Sequence, residues 1–378
     1  MRHRLAFINA ALLALLAAVS LPVAGAAAAD EALACKRVEM LDGDSGKAVQ
    51  GAEDLALDRE AGRLFISAYD RWAVEDAAQA NARTLPQGGI YAVTLAEIAE
   101  AGDSLEVRNL TRGVEGAMQP HGIGLYHGGE RRRLFAVNHA YARDHGEWRK
   151  QTRIDIFEVE GEALEAIGRI GGESLCNAND VAPISGESAL VTRDRAACGG
   201  PSRVLETMAG LRRAEVMLVE LSAQGERQTV EMLLDGIGFA NGIALSPNGR
   251  SLAVAATREQ AVHFHDLPAL LNGQESRTAR VSVPGGPDNL NWGTDGRLLA
   301  AVHPSLMRSG IARHQWFGRD RAGSRLVVID PEQSGSRTLV DDPEGHSLNM
   351  ATSVVEAETM LIASGVLDSA LLVCRPHG

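Results

Sequence analysis

The chain has 378 residues, 45% of them hydrophobic and 4% aromatic, with 37 Lys and Arg against 49 Asp and Glu, a net charge of -12. That acidic excess argues against nucleic acid as a partner, because phosphate backbones are met by basic patches, and it suits a protein that holds divalent cations. The length allows a large core, as two domains or as one closed repeat architecture.

Arg2 and Arg4 give a positive start, Leu12 to Val23 is nearly all apolar, and small residues end at Ala27-Ala28-Ala29 before Asp30. This is the pattern of a cleaved signal peptide. We expect residues 1–29 to be that leader, cut near Ala29, and residues 30–378 to be exported to the periplasm or beyond as a single domain. The apolar stretch is short and crowded with Ala for a membrane span. No later segment offers about 18 uninterrupted apolar residues, so no stable span is expected after leader removal. In an oxidising compartment four cysteines point to disulfides rather than a metal site. Of three possible connectivities we expect Cys35 with Cys374 and Cys176 with Cys198. A bridge between the two ends suits a chain that closes into a ring.

Along the mature chain, runs of four to seven alternating or β-branched residues are broken by Gly, Asp, Asn and Pro. A phrase recurs: a polar doublet, a short apolar strand, a turn, then a second apolar strand. It appears as Glu53-Asp54-Leu55 leading to Leu64-Phe65-Ile66, and as His121-Gly122-Ile123 leading to Leu134-Phe135-Ala136-Val137. Further copies start at Asn179-Asp180-Val181, Asn241-Gly242-Ile243 and Asp288-Asn289-Leu290, with a weaker sixth at Ala351-Thr352-Ser353. The copies lie 47 to 68 residues apart, which is what a four-stranded blade with variable loops requires. The reading is all-β: a six-bladed β-propeller of four-stranded blades with short helical lid elements. Three stretches fall outside the repeat. Arg143 to Gln151 is polar, Arg203 to Arg213 has helical spacing at Leu205, Met208 and Leu211, and Arg308 to Gly323 carries Trp316 and Phe317.

The innermost strand of each propeller blade runs along the central channel, so residues at one phase share one space. Glu53, His121, Asn179, Asn241 and Asp288 hold that phase. Packing would favour small apolar residues there; converging carboxylates and amides need a cation or dense hydrogen bonding. Calcium takes six to eight oxygens, of which Glu53, Asn179, Asn241, Asp288 and Asn289 would supply five. The tetrahedral His and Cys spacing of zinc is absent. Neighbours on a strand face opposite ways, so Asp54 and Asp180 turn away from the ligands beside them. A second, buried calcium shared with the Ile123 carbonyl would satisfy them; capping of turns is the alternative. His121 lies at the axial phase and His139 ends the second strand of the same blade, where one imidazole would orient the other as a general base. His303 is a candidate for the mouth of the same pocket. No Gly-x-Ser-x-Gly elbow, phosphate loop or dinucleotide fingerprint is present.

In order, Gly51-Ala52-Glu53-Asp54-Leu55, Gln119-Pro120-His121-Gly122-Ile123, Val137-Asn138-His139, Asn179-Asp180-Val181, Phe239-Ala240-Asn241-Gly242-Ile243, Asp288-Asn289 and His303-Pro304 resemble stations of the paraoxonase/arylesterase family. The resemblance covers nearly the whole mature chain and includes the terminal cysteines. It implies a six-bladed propeller with two calcium ions. Glu53, Asn179, Asn241, Asp288 and Asn289 would hold the catalytic ion, and Asp54, Asp180 and the Ile123 carbonyl the structural one. His121 and His139 match that family's histidine dyad. Val302 departs from it, standing where animal members carry a free Cys, and the Cys176 and Cys198 pair and the 308–323 insertion have no counterpart we recognise.

The expected activity is therefore calcium-dependent hydrolysis of lactones and aryl esters, with a small-molecule lactone or ester as partner. Two rivals stand beside it: a gluconolactonase/regucalcin-type sugar lactonase, also a six-bladed propeller, and a non-catalytic exported calcium-binding propeller.

Overall fold

The alternating runs do form strands, and strands make up most of the computed structural model, which describes residues 33–376 apart from 130, 222–227 and 319. The expected leader at 1–29 lies outside the described residues. The chain opens with β1 (Leu33–Asp42), β2 (Ala52–Asp58), β3 (Arg63–Ala68), α1 (Arg71–Gln79), β4 (Gly89–Thr94), α2 (Leu95–Glu100) and β5 (Ser104–Asn109). Then come β6 (Pro120–Gly128), β7 (Arg131–Asn138), a hairpin of β8 (Tyr141–Asp144) and β9 (Glu147–Lys150), β10 (Arg153–Glu160) and β11 (Ala163–Gly171). Next are β12 (Ala178–Pro183), β13 (Ser188–Arg193), α3 (Gly200–Ala209), β14 (Ala214–Leu221) and β15 (Gln228–Ile237). These are followed by β16 (Ala240–Leu245), β17 (Ser251–Ala256), β18 (Ala261–Asp266), α4 (Leu267–Leu271) and β19 (Arg277–Ser282). The last elements are β20 (Gly286–Trp292), β21 (Leu298–His303), α5 (Leu306–Arg313), β22 (Ser324–Asp330), β23 (Gly335–Asp342), β24 (Ala351–Ala357), β25 (Met360–Gly365) and β26 (Ala370–Pro376).

The architecture is an all-β propeller with few helices. Four sheets have four strands each, led by β6, β12, β16 and β20. An eight-stranded sheet runs β2-β3-β4-β5-β1-β26-β25-β24, joined at its middle by the parallel pair of β1 and β5. There β1 also lies antiparallel to β26, with Cys35 opposite Cys374, and the two are disulfide-bonded, as are Cys176 and Cys198. The strands that begin each repeat touch in a closed cycle, β2 to β6, β12, β16, β20, β24 and back to β2.

The apolar core lies in layers between successive sheets. Phe135, Ile154 and Val191 fill one such layer, Ile243, Leu252 and Val254 another, and Met40, Ile66 and Ile362 a third within the eight-stranded sheet. Each fully buried side chain of this kind contributes about 1.5–3 kcal/mol. These layers hold the inner strands in register.

Every inner strand is bulged against its neighbour at one phase. The register slips at Ala52/Asp54, Pro120/Ile123, Ala178/Val181, Ala240/Ile243, Pro287/Leu290 and Ala351/Ser353. A bulge leaves residues unpaired and re-aims their side chains, and the polar doublets fall inside it. Two glycines let adjacent inner strands close up there. A Cβ on Gly122 would meet the Asp180 Cα at 2.5 Å, and one on Gly242 the Asn289 Cα at 2.6 Å.

The three segments outside the repeat differ in detail from expectation. Residues 143–151 belong to the β8–β9 hairpin, which starts at Tyr141. The helix expected over 203–213 is α3, displaced towards the N-terminus, because Pro201 starts its first turn and left-handed Gly210 ends it. Leu205 and Met208 are exposed on it, and Glu206 is its buried residue. In 308–323 the helical part is α5, capped by Ser305, and Trp316 and Phe317 stand exposed beyond it. No helix among the described residues is long and apolar enough to cross a membrane.

Candidate functional site

Glu53, His121, Asn179, Asn241, Asp288 and Asn289 are all buried at the bulged starts of the inner strands. Glu53 is linked to two other repeats and to α1 of its own. Its Oε2 lies 2.9 Å from His121 Nδ1, its Oε1 lies 3.7 Å from Arg71 Nη2, and its backbone carbonyl accepts from the Asn289 amide at 3.2 Å. Asp288 Oδ2 lies 2.8 Å from His303 Nε2. His303, expected at the mouth, is thus buried against an axial carboxylate whose orientation it fixes.

What this set lacks is as informative as what it has. The side-chain oxygens of Asn179, Asn241 and Asn289 are buried with no hydrogen-bond partner, and Glu53 Oε2 faces only the His121 ring nitrogen, without hydrogen-bond geometry. A buried acceptor left unpaired costs about 1–3 kcal/mol, so these oxygens at the bulged starts of four inner strands need an electropositive partner. Two carboxylates and three amides are hard oxygen donors that suit calcium rather than zinc. Among the described residues no group of three or more His, Cys, Asp or Glu is arranged to hold a metal; the donors here are mostly Asn. Burial pushes the Glu53 carboxyl up to about 8, with Arg71 opposing the rise and the Asp288 charge adding to it.

The second carboxylate pair is held by backbone. Asp54 Oδ1 accepts from Leu55 N at 2.8 Å and Oδ2 from Ile123 N at 2.8 Å. Asp180 Oδ1 accepts from Val181 N at 2.7 Å and Oδ2 from Ile243 N at 2.8 Å. Each Asp therefore ties its own strand to the next inner strand, and the Ile123 contact runs through its N–H. Despite these donors, burial and the neighbouring Glu53 charge push Asp54 up to about 8, and burial with the Asp54 charge raises Asp180 well above the carboxylate range.

The β7 end does bring His121 and His139 together, as tilted rings with centroids 4.4 Å apart. They are not partners through nitrogen. His139 Nε2 lies 2.9 Å from the Ala178 carbonyl and Nδ1 lies 3.5 Å from the Tyr69 hydroxyl. His121 Nδ1 lies 2.9 Å from both Arg71 Nη2 and Glu53 Oε2; accepting from the guanidinium puts the proton of the neutral ring on Nε2, whereas donating to the carboxylate puts it on Nδ1. Burial holds both imidazoles well below their ordinary value, aided at His121 by Arg71 and at His139 by Lys150.

Several residues of this site escape a reading by sequence. Arg71, the first residue of α1, is buried between Glu53 and His121, and its Nε has no partner. Nothing local marks it. The hydroxyls of Ser67 and Thr192 receive the Asp54 and Asp180 amides at 3.1 and 3.0 Å and donate to the His121 and Asn241 carbonyls at 2.5 Å each. A Ser or Thr near the end of each second strand was the signal for these.

The model of the arylesterase family matches residues 81–374. Serum paraoxonase/arylesterase 2 of Bos taurus is 25% identical over 248 residues, 65% of this chain and 60% of that protein. The Rattus norvegicus counterpart is 26% identical over 246 residues, again 65% and 60%. The chain thus matches about three fifths of the length of these relatives. A solved luciferin-regenerating enzyme superposes with TM-score 0.51 at 14% identity, over 92% of this chain and 96% of its own, a likeness of fold. With 81–374 of its 378 residues inside that family model, more than three quarters of its length, the chain belongs to the arylesterase family.

Proposed function

We propose that the protein is an exported, calcium-dependent hydrolase of lactones and aryl esters. The observation that carries this is the set of partnerless buried oxygens of Glu53, Asn179, Asn241 and Asn289, in a chain of the arylesterase family. We count the eight-stranded sheet as two blades joined through β1 and β5, which makes six around the cycle of inner strands. Glu53, Asn179, Asn241, Asp288 and Asn289 would hold a catalytic calcium, and Asp54, Asp180 and the Ile123 carbonyl a structural one. A cation bound by the first set polarises a carbonyl and steadies the charge that develops on its oxygen.

The chain's own groups supply the proton chemistry. With Nδ1 accepting from Arg71, His121 offers an N–H at Nε2 and donates rather than accepts. The Glu53 carboxylate, the anion beside the axis, would take the proton of the attacking water and return it to the leaving oxygen. His139, anchored at Ala178 and Tyr69, positions the His121 ring against which it stacks.

A panel of phenyl acetate, a long-chain acyl lactone and a sugar lactone, with and without EDTA, tests this reading. Hydrolysis of the first two that EDTA abolishes and calcium restores is expected. Turnover of the sugar lactone alone would favour the gluconolactonase-type alternative. No turnover of any, with calcium bound, would leave a binding propeller.

A further inference from the structure

The connections from second to third strand all leave the sheets at the edge where the axial residues lie, since Ala52 pairs with Ala68, Pro120 with Asn138, Ala178 with Arg193, Ala240 with Ala256 and Gly286 with His303. These connections carry α1, the β8–β9 hairpin, α3, the turn at Thr257–Glu259 and α5. They bring six cations to that rim: Arg71, Lys150, Arg195, Arg203, Arg258 and Arg313. Charges from different connections act on one another there: Asp194 attracts Lys150 while Arg203, Arg313 and Arg71 repel it, and Arg195 repels Arg203 and Arg258 while Asp194 and Glu206 attract them.

The acids of the rim are already engaged. Glu75 clamps Arg313 at 2.5 and 3.1 Å, and Asp194 clamps Arg195 at 2.8 and 3.1 Å. Glu206 accepts from Ala196 N and Ala197 N at 3.0 Å, and Glu259 serves Gly238 N, Arg212 and His263. Three cations, Lys150, Arg203 and Arg258, are left without a carboxylate partner of this kind, while Arg71 faces Glu53 at 3.7 Å. Lys150 has no hydrogen bond or ion pair among the described residues. Arg203 reaches only the Cys198 carbonyl, at 3.5 Å, and Arg258 the Glu206 carbonyl, at 3.4 Å. Arg71 keeps a buried Nε with no partner. The Lys150 side chain is exposed to water, so its ammonium is open to a ligand from solvent. On a chain of net charge -12, a cationic surplus at this one place has no role in solubility and draws anions in.

We propose that the substrate is an ester or lactone carrying a carboxylate, gripped at the rim by Lys150 and Arg203 with Arg71 nearer the axis. This rests on the hydrolase reading above. The test compares 4-acetoxybenzoate with its neutral methyl ester on the calcium-loaded protein. The methyl ester has the better leaving group, so the comparison is weighted against the proposal. At low salt kcat/KM should favour the anion by about tenfold or more. That ratio should fall towards one at high salt, and in Lys150→Ala with Arg203→Gln through a raised KM for the anion. An equal or faster neutral ester overturns the anion preference and leaves the hydrolase intact. If neither ester is hydrolysed, the hydrolase reading fails, and calorimetric titration with 4-hydroxybenzoate decides the rim. Binding weakened about tenfold by the paired substitutions supports it; binding that is absent, or unmoved by them, overturns it.

Discussion

Asn241 is buried at the start of an inner strand, and its side-chain oxygen has no hydrogen-bond partner in the chain; the same holds for Asn179, Asn289 and one oxygen of Glu53. An amide in a core is ordinarily paired, and the lack of partners in three inner-strand doublets is what a cation site would explain and a polar core would not. His121 sharpens the residue-scale account. If it were the base, His121→Gln would lower kcat by about 10²–10⁴-fold. Because Arg71 already donates to its Nδ1, we expect a loss under tenfold for that variant, which keeps a donor, measured as kcat on phenyl acetate at saturating calcium. A larger loss would return the base to the imidazole.

At the scale of the element, the bulge and a hydroxyl bridge work together. Thr192 takes the Asp180 amide and gives to the Asn241 carbonyl, so one side chain seats both carboxylate and ligand strands. Thr192→Val removes it at similar volume and leaves two buried backbone groups unpaired. The expected cost is about 1–3 kcal/mol, seen as a lower urea midpoint, with weaker calcium binding alongside; Thr192→Ser should restore both. Inner strands were legible because their signal is local. The doublets Glu53-Asp54 and Asn179-Asp180 sit at one phase of a repeat, and the bulge keeps both members buried. The α3 boundary was less so, since Leu205, Met208 and Leu211 gave a helical period whose apolar face stays exposed, while Pro201 and Gly210 set the ends. Arg71 and Lys150 were not legible at all, because the groups around them, Glu53 and His121 for Arg71 and Asp194 and Arg203 for Lys150, are distant in sequence and meet them only once the strands have packed.

Over the whole molecule, closure of the ring is what gathers the hub carboxylates and amides. The ring is fastened where β1 lies between β5 and β26 and Cys35 joins Cys374, and its hub collects carboxylates that repel one another. Metal-free, Glu53 and Asp54 have folded-state values raised to about 8 from ordinary values of 4.5 and 3.8. The folded state then binds protons that the unfolded state releases. Stability from these groups is complete below about pH 4 and is lost as pH rises through about 8. In EDTA, Tm should therefore fall between pH 5.5 and pH 8, whereas excess calcium should remove that fall by replacing protons at the hub. A Tm in EDTA that climbs over this range would refute raised carboxyls at the hub. The most direct test of the central claim, that oxygens from separate repeats meet to hold a divalent ion, is calcium counted by equilibrium dialysis on the folded wild type and on Asp288→Ala. The account predicts two ions per chain falling to one; no calcium on the wild type, or an unchanged count in the variant, would contradict it.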